Sequence, residues 1–583
     1  MFDNSGKPKS QNGGNAKKSK SLAWIFPKNW IPLAKLLNFR EKLYAITLAA
    51  LVAVSFFFWI GKIYYSLTVA FPKEGGNYIE GVIGDVKNIN PLISQERGAE
   101  ADLVKLFYSG LFRRDKEGKI VEDLAQSYDL SEDHAAYTIH LKRNVKWHDG
   151  EAFNSSDVCF TYTVLQDRAY NSPLRFSWQG VEVKCPDDNT VVITLKKPYF
   201  GFINNLVTGI IPKHIWQDVP PERFALSDYN LRPVGTGPYK FFDYQKDSGG
   251  RILSYELRSV PEYYLEKPLI SKITFNFYEN YDDIIKAYNG KEILAIGNIA
   301  PEEIKKIKSL KSTNIREILV PRFFYVYFNQ NKNIPLTEKP VRKALALATD
   351  RGEMISKVQD NRGISAYSTF LPGMPGYKDD SERQEFNLEE AKKILEESGW
   401  KANGEGIREK NGKKLEFNLY TTDWPKLAQT ADIIKSQWGK IEVKINVNIL
   451  TVSDLQQNFI RPREYEILLL GQDVLFNFDP FPIWHSSQKK DPGLNMSMFD
   501  NKDADKLLEE AREDLNETSR SEKYEKFQKI IADEVPGVFL YSPYYIYPVS
   551  TRVKGIDLKS ADFPSDRFAD VFRWYIKTSR KLK

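Results

Sequence analysis

Histidine and cysteine are scarce, with five and two in 583 residues. His134, His140, His148, His214 and His485 form no H-E-x-x-H helix and no Cys/His ligand set, and no G-x-S-x-G elbow presents a nucleophile. The usual frameworks of metal and acyl-transfer catalysis are therefore missing, and the chain reads as a binding protein with no cofactor rather than an enzyme. Basic excess is missing too from most of the chain. The formal charge is +6, but residues 1–42 carry a net +7, leaving the remaining 541 at about −1. No basic face is available to neutralise phosphates, which excludes a nucleic-acid binder. Cys159 and Cys185 could pair in an oxidising exterior, yet Cys159 interrupts the apolar run VCFTYTVL and reads more simply as a small buried hydrophobe. No cysteine lies near the N-terminus to carry a lipid.

What is present begins with that basic segment. Residues 1–42 open with a polar, Gly- and Lys-rich stretch that reads as a disordered cytoplasmic tail. Leu43 to Gly61 (LYAITLAALVAVSFFFWIG) follows, uncharged and apolar. At 1.5 Å per residue roughly 19 residues span about 29 Å, the thickness of a bilayer core. Lys35, Arg40 and Lys42 on its N-terminal side keep that side cytoplasmic, so the rest of the chain lies outside a cell membrane crossed once. A cleaved signal peptide is the competing reading, although its apolar region is normally shorter and Lys62-Ile63-Tyr64-Tyr65 is not a small-residue cleavage site. Residues 62–76, ending in FPKEGG, read as a linker, and a folded exterior part starts near Asn77.

That part is long, 42% apolar and 13% aromatic over the whole chain, which calls for two or three packed lobes. Strand patterns (VEVKC, VVITLKK) alternate with amphipathic helical ones (LEEAKKILEES before Gly399), so the class is α/β. The segment VKWHDGEAFNSSDV, Val145–Val158, sets His148 beside Asp149 with Glu151 and Asp157 close by. Asp149-Gly150 is a turn pair, and Asn154 with Asp157 three residues later resembles a capping box. A strand-turn-helix corner accounts for these residues without catalysis.

KWHDGEAFNSSDVCFTY also resembles the signature segment of the family 5 extracellular solute-binding proteins, receptors that deliver peptides, nickel or some oligosaccharides to ABC transporters. VGTGPY (Val234–Tyr239), KPVRKALALATDR ending at Arg351, and DPFPIWHSSQ (Asp479–Gln488) follow in the family's order. The resemblance implies a two-lobed, periplasmic-binding-protein-like fold with a hinge and an extra subdomain. Its segments are 77–118, 213–324 and 541–583 for lobe one, 119–212 for the subdomain and 325–540 for lobe two. It implies a monomer whose lobes close on a peptide or other small solute and present it to permease subunits.

The candidate ligand-binding residues come from the same comparison. Thr236, Gly237 and Tyr239 belong to the loop that lies beside the family's cleft, and Tyr108 is added from lobe one. Tyr327 and Asn329 lie on an aromatic run, Arg322–Asn329, expected as one hinge strand, with Val538–Tyr541 and Tyr544–Tyr547 as the return. Gln472, Asp473, Asn477 and Asp479 lie in the cleft loop, where Gln472 replaces the usual tryptophan and Leu475 or Phe476 the aspartate that holds a peptide's amine. The arginine that can meet a carboxylate gives way to Leu468–Leu470, with Arg461 as a substitute. Free di- and tripeptides fit this poorly, because buried charged termini need partners. A longer peptide held by its backbone remains the leading ligand. An oligosaccharide stacked on Trp178, Trp484 or Tyr327 is the alternative, as is a metal chelate at His485; a sensor without a transporter or an ectoenzyme has less to support it.

Overall fold

The apolar run forms one continuous helix, Phe39–Leu67, with no buried residue, and by length and composition it can cross a membrane. The computed structural model describes residues 38–94, 98–308, 310–379, 383–477 and 479–582; the tail up to residue 37 lies outside them. Both expected borders move. Arg40 and Lys42 are helical rather than part of the tail, because the Glu41 carboxylate accepts the Asn38 N–H at 2.8 Å and fastens the first turn. Residues 62–76 are not a plain linker either. Two more helical turns are followed by the strand Thr68–Lys73, which pairs with the C-terminal strand Lys577–Leu582. Arg580 donates to the Tyr65 and Thr68 carbonyls at 3.0 and 2.8 Å, satisfying the helix's last acceptors.

Residues 72–578 form a second unit, built on three main sheets. The largest runs in the order Thr313–Leu319, Tyr541–Ser550, Ala295–Gly297, Asn77–Ile83, Lys272–Tyr278, Ile252–Ser259, Tyr239–Lys246. A five-stranded sheet runs Lys444–Leu450, Glu416–Thr422, Ile467–Asp473, Arg322–Phe328, Gly537–Phe539. A four-stranded antiparallel sheet, Ala125–Leu130, Ala136–Leu141, Thr190–Leu195 and Val181–Asp187, lies within the stretch expected as the subdomain.

The chain passes from the first sheet to the second twice. It does so through Val320 and Pro321, between Thr313–Leu319 and Arg322–Phe328, and returns through Leu540, between Gly537–Phe539 and Tyr541–Ser550. The aromatic run RFFYVYF suits its position. Phe324, Val326 and Phe328 enter one core and Phe323, Tyr325 and Tyr327 the other, so this central strand is buried on both faces.

One expectation is overturned here. Cys159 and Cys185 are disulfide-bonded, with Cα atoms 6.3 Å apart, joining the helix Ser155–Gln166 to the strand Val181–Asp187. Cys159 is only half-buried because the helical period turns it toward that strand rather than into the core. A cross-link over 26 positions restricts the unfolded chain by on the order of 3 kcal/mol.

Candidate functional site

The signature corner closes on itself. Asn154 caps the helix Ser155–Gln166 by accepting the Ser156 N–H at 2.9 Å, and Asp157 accepts the Asn154 and Lys213 N–H groups at 3.1 and 2.9 Å. His148 clamps the VGTGPY loop. Its Nδ1 accepts the Gly235 N–H at 3.2 Å, and its Nε2 lies 3.0 Å from the Gly237 carbonyl, to which it donates. Burial pushes the imidazole down to about 4, only partly opposed by the Gly237 carbonyl, so the ring is neutral at physiological pH. With both nitrogens committed, His148 has none to offer a metal or a substrate.

The loop in turn lies against the end of the helix Ala99–Phe107. A Cβ on Gly235 would stand 1.9 Å from the Phe107 carbonyl oxygen, and one on Gly237 2.4 Å from that of Leu106. Only glycine permits this approach. The glycines thus brace the C-terminal end of a helix that also carries Asp102, Val104 and Lys105.

Those residues help form two cavities between the lobes. One, of about 490 Å³, lies beside the crossings, where Gln359, Trp424 and Lys426 of lobe two face Asp102, Asn298, Glu302 and Tyr544 of lobe one, with Arg322 at the crossing strand itself. The other, of about 560 Å³, sets Asp473 opposite Ile93, Val104, Tyr108, Arg114 and Leu174. Arg322 lines the first and Asp473 the second, and the two side chains are joined by paired hydrogen bonds of 2.6 and 2.7 Å. Beneath them Arg567, fully buried, binds Asp102 and Glu80, each at 2.6 Å.

Beyond the cavities the lobes meet again. Phe200 of the subdomain stretch packs into the lobe-two core, with the Arg520 guanidinium 4.0 Å from its ring centre. Asn204 donates to the Asn477 carbonyl at 3.4 Å. Asp562, which pairs with Arg114 at 2.6 Å, accepts the backbone N–H of Phe476 across the seam. Burial pushes the Asp562 carboxyl up to about 6, with Arg114 and the Phe476 N–H opposing.

The sequence profile of the bacterial extracellular solute-binding proteins, family 5 Middle, matches residues 119–493. The chain belongs to this family. It is 30% identical over 481 residues to the oligopeptide-binding protein AppA of Bacillus subtilis, covering 81% of this chain and 87% of that one. The dipeptide-binding protein of Escherichia coli is 26% identical over 531 residues, 85% of this chain and 95% of its own. Among solved structures, AppA in complex with a nonapeptide superposes with a TM-score of 0.68 at 28% identity, over 87% of this chain and all of AppA. The substrate-binding protein CtaP of Listeria monocytogenes gives 0.73 at 28%, over 87% and 100%.

Against this family architecture, Tyr108 and Asp473 are the only expected site residues that line the interlobe cavities. Thr236 instead lines a separate cavity of about 620 Å³ beside His148, and Gly237 supports the helix. Tyr239 is buried, its hydroxyl donating to the Ile270 carbonyl at 3.0 Å. Trp178, Tyr327 and Trp484 are core residues rather than stacking platforms: Trp178 stacks on Tyr162 at 4.0 Å, and Trp484 donates to Thr369 at 3.0 Å. Asn329 binds the Arg463 carbonyl at 3.0 Å, and Arg461 is exposed outside both cavities. Gln472 donates to the Asp473 carbonyl at 3.0 Å. Asp479, whose carboxyl is raised by burial, pairs with Arg512 at 2.9 Å and accepts the Phe481 N–H. His485 stacks on Phe481 and lies 3.3 Å from Glu509, away from the cleft.

Trp424 was missed by sequence reasoning, although a signal existed. It stands at the N-cap of the helix Pro425–Gly439, where a short polar residue is the normal choice, and it remains 43% exposed.

Proposed function

We propose that this protein is a membrane-tethered receptor that captures a peptide between its lobes and hands it to the permease of an ABC importer. The observation that carries this reading is the pair of interlobe cavities, lined by aromatic, proline and amide side chains from both lobes and by no nucleophile-base pair. A ligand touching both walls gains its full interaction only with the lobes together, so its binding free energy biases the hinge toward closure. The helix Phe39–Leu67 supports tethering, with the lobes on the extracytoplasmic side. The AppA structure with a nonapeptide supports a peptide ligand.

Small-angle scattering on the full chain in detergent, stripped of ligand and then saturated with the peptides that co-purify, tests closure. The radius of gyration should fall on saturation. An unchanged value at full occupancy would refute a closing receptor.

A further inference from the structure

The membrane helix and the strand Lys577–Leu582 meet in a small cationic collar. Arg580, 515 positions from Tyr65 in the sequence, donates to its carbonyl. Its Nε also donates to the Thr68 hydroxyl at 2.7 Å, and the guanidinium stands 4.3 Å from the Tyr65 ring centre. Lys581 stands 4.2 Å from the ring centre of Phe71. The end of the helix thus fixes where these two cations lie. The apolar run closes at Gly61, and Thr68 follows seven positions later, roughly 10 Å along a helix axis. That is the outer boundary of a headgroup layer, within about one Debye length of its charge. The collar's composition suits that depth. The charged residues within 62–71 and 579–583 are Lys62, Arg580, Lys581 and Lys583, with no Asp or Glu, and among the described residues no carboxylate pairs with Lys62, Arg580 or Lys581. Lys62 and Lys581 are exposed. Tyr64, Tyr65, Leu67, Val69 and Leu582 are each about half exposed or more. Exposed aromatic and apolar side chains interleaved with unpaired cations form the pattern of a segment at a membrane–water interface.

We infer that this collar docks on the headgroups of anionic lipids in the leaflet beside the lobes, with Lys62 and Lys581 meeting phosphate and Arg580 holding the strand in place. The inference rests on the tethered-receptor reading and adds the lipid surface on which the tether sits. Arg580 is a positioning residue, since its donors go to the helix end. Leu582 and Tyr65 decide between a lipid and a free phosphate, because a lipid also offers them the edge of the acyl layer. An anionic surface draws cations that lie within a Debye length and loses its hold as salt is raised. Residues 577–583 are too remote in sequence from the helix to bear on its orientation, so their charge sits outside without disturbing the topology set by the N-terminal lysines and arginine.

A single fluorophore is placed on the full chain at Thr578→Cys, an exposed position, the native cysteines being joined to each other. The protein is reconstituted with its lobes outward in phosphatidylcholine vesicles whose outer leaflet alone holds an equimolar share of phosphatidylglycerol, with a trace of either lipid carrying an acceptor on its acyl chain. Residues 1–42 then meet only phosphatidylcholine, so their charge drops out of the comparison. Energy transfer should report phosphatidylglycerol enriched about threefold or more over phosphatidylcholine at the collar, falling toward parity in Lys62→Gln/Lys581→Gln and at high salt. Lys62→Arg/Lys581→Arg should keep the enrichment, and both double variants should melt with the parent. Equal transfer to the two lipids would overturn the inference and leave the tether intact. Transfer to neither would overturn both. Enrichment that survives Lys62→Gln/Lys581→Gln would place the lipid-binding surface elsewhere and overturn this assignment.

Discussion

Two buried titratable groups, His148 in the signature corner and Asp562 at the seam between the lobes, differ in where their partners come from. His148 holds Gly235 and Gly237, which belong to its own lobe and stay with it whatever the hinge does. Asp562 is paired with Arg114 of its own lobe, but its remaining contact, the Phe476 N–H, arrives from the facing lobe. Burial drives both toward the neutral form, down to about 4 for the imidazole and up to about 6 for the carboxyl. In the corner this effect becomes folding stability. At the seam it would link protons to lobe closure, if opening changes the surroundings of Asp562.

The largest test of that contrast is the pH dependence of unfolding. His148 has a folded value near 4 against an ordinary 6.5, so its contribution is fully present above 6.5 and is lost as pH falls from 6.5 toward 4. The integrated effect is at most about 3 kcal/mol. Chemical denaturation of the parent and of His148→Gln across this window checks it. The parent should lose stability more steeply, and parallel curves would mean that the corner does not hold the ring neutral.

The seam gives the opposite sign and a smaller effect. The Asp562 carboxyl is raised with the lobes together, so its favourable contribution to the closed form is complete below its ordinary value of 3.8 and is lost as pH rises through 6. Arg114 and Lys105 restrain the rise and Asp566 adds to it. If opening lets water reach the group, and this outweighs loss of the Phe476 N–H, closing takes up a proton. Ligand affinity should be higher at pH 5 than at pH 7 by up to about tenfold, or 1.4 kcal/mol. Asp562→Asn should flatten that slope. A slope that survives the substitution places the titrating group elsewhere.

These two regions also divide what the residues alone made legible. The corner was readable because its logic is local: a turn pair, a cap and glycines spaced for close approach lie within short stretches. The two-lobed fold followed from the family resemblance those motifs carry, and the aromatic run fell on the central strand because uninterrupted apolar character fits a strand buried on both faces. The cleft was far less legible. Its walls combine Asp102, Glu302, Trp424 and Asp473, brought together only by the tertiary fold. Trp178, Tyr327 and Trp484 attracted notice as large aromatics, but size favours the core as strongly as it favours a ligand. The disulfide escaped because half-burial of Cys159 depends on where the strand Val181–Asp187 packs.

Trp424 provides the finest test, since it separates affinity from stability at one residue. Its ring lies 5.8 Å from that of Phe324, so part of it is anchored, while 43% of the residue remains open beside the first cavity. Truncation to alanine removes only that partial packing from the free protein and should cost about 1 kcal/mol or less of folding stability. A ligand that closes over the exposed face would lose the remainder, and affinity should fall about fivefold, roughly 1 kcal/mol. Trp424→Phe should recover most of it, because the aromatic surface is kept. The corner predicts the reverse pattern for His148→Gln, with stability altered and affinity unchanged at pH 7. If Trp424→Ala bound as tightly as the parent, the ligand would lie nearer Tyr108, and the two cavities would have to be assigned separate roles.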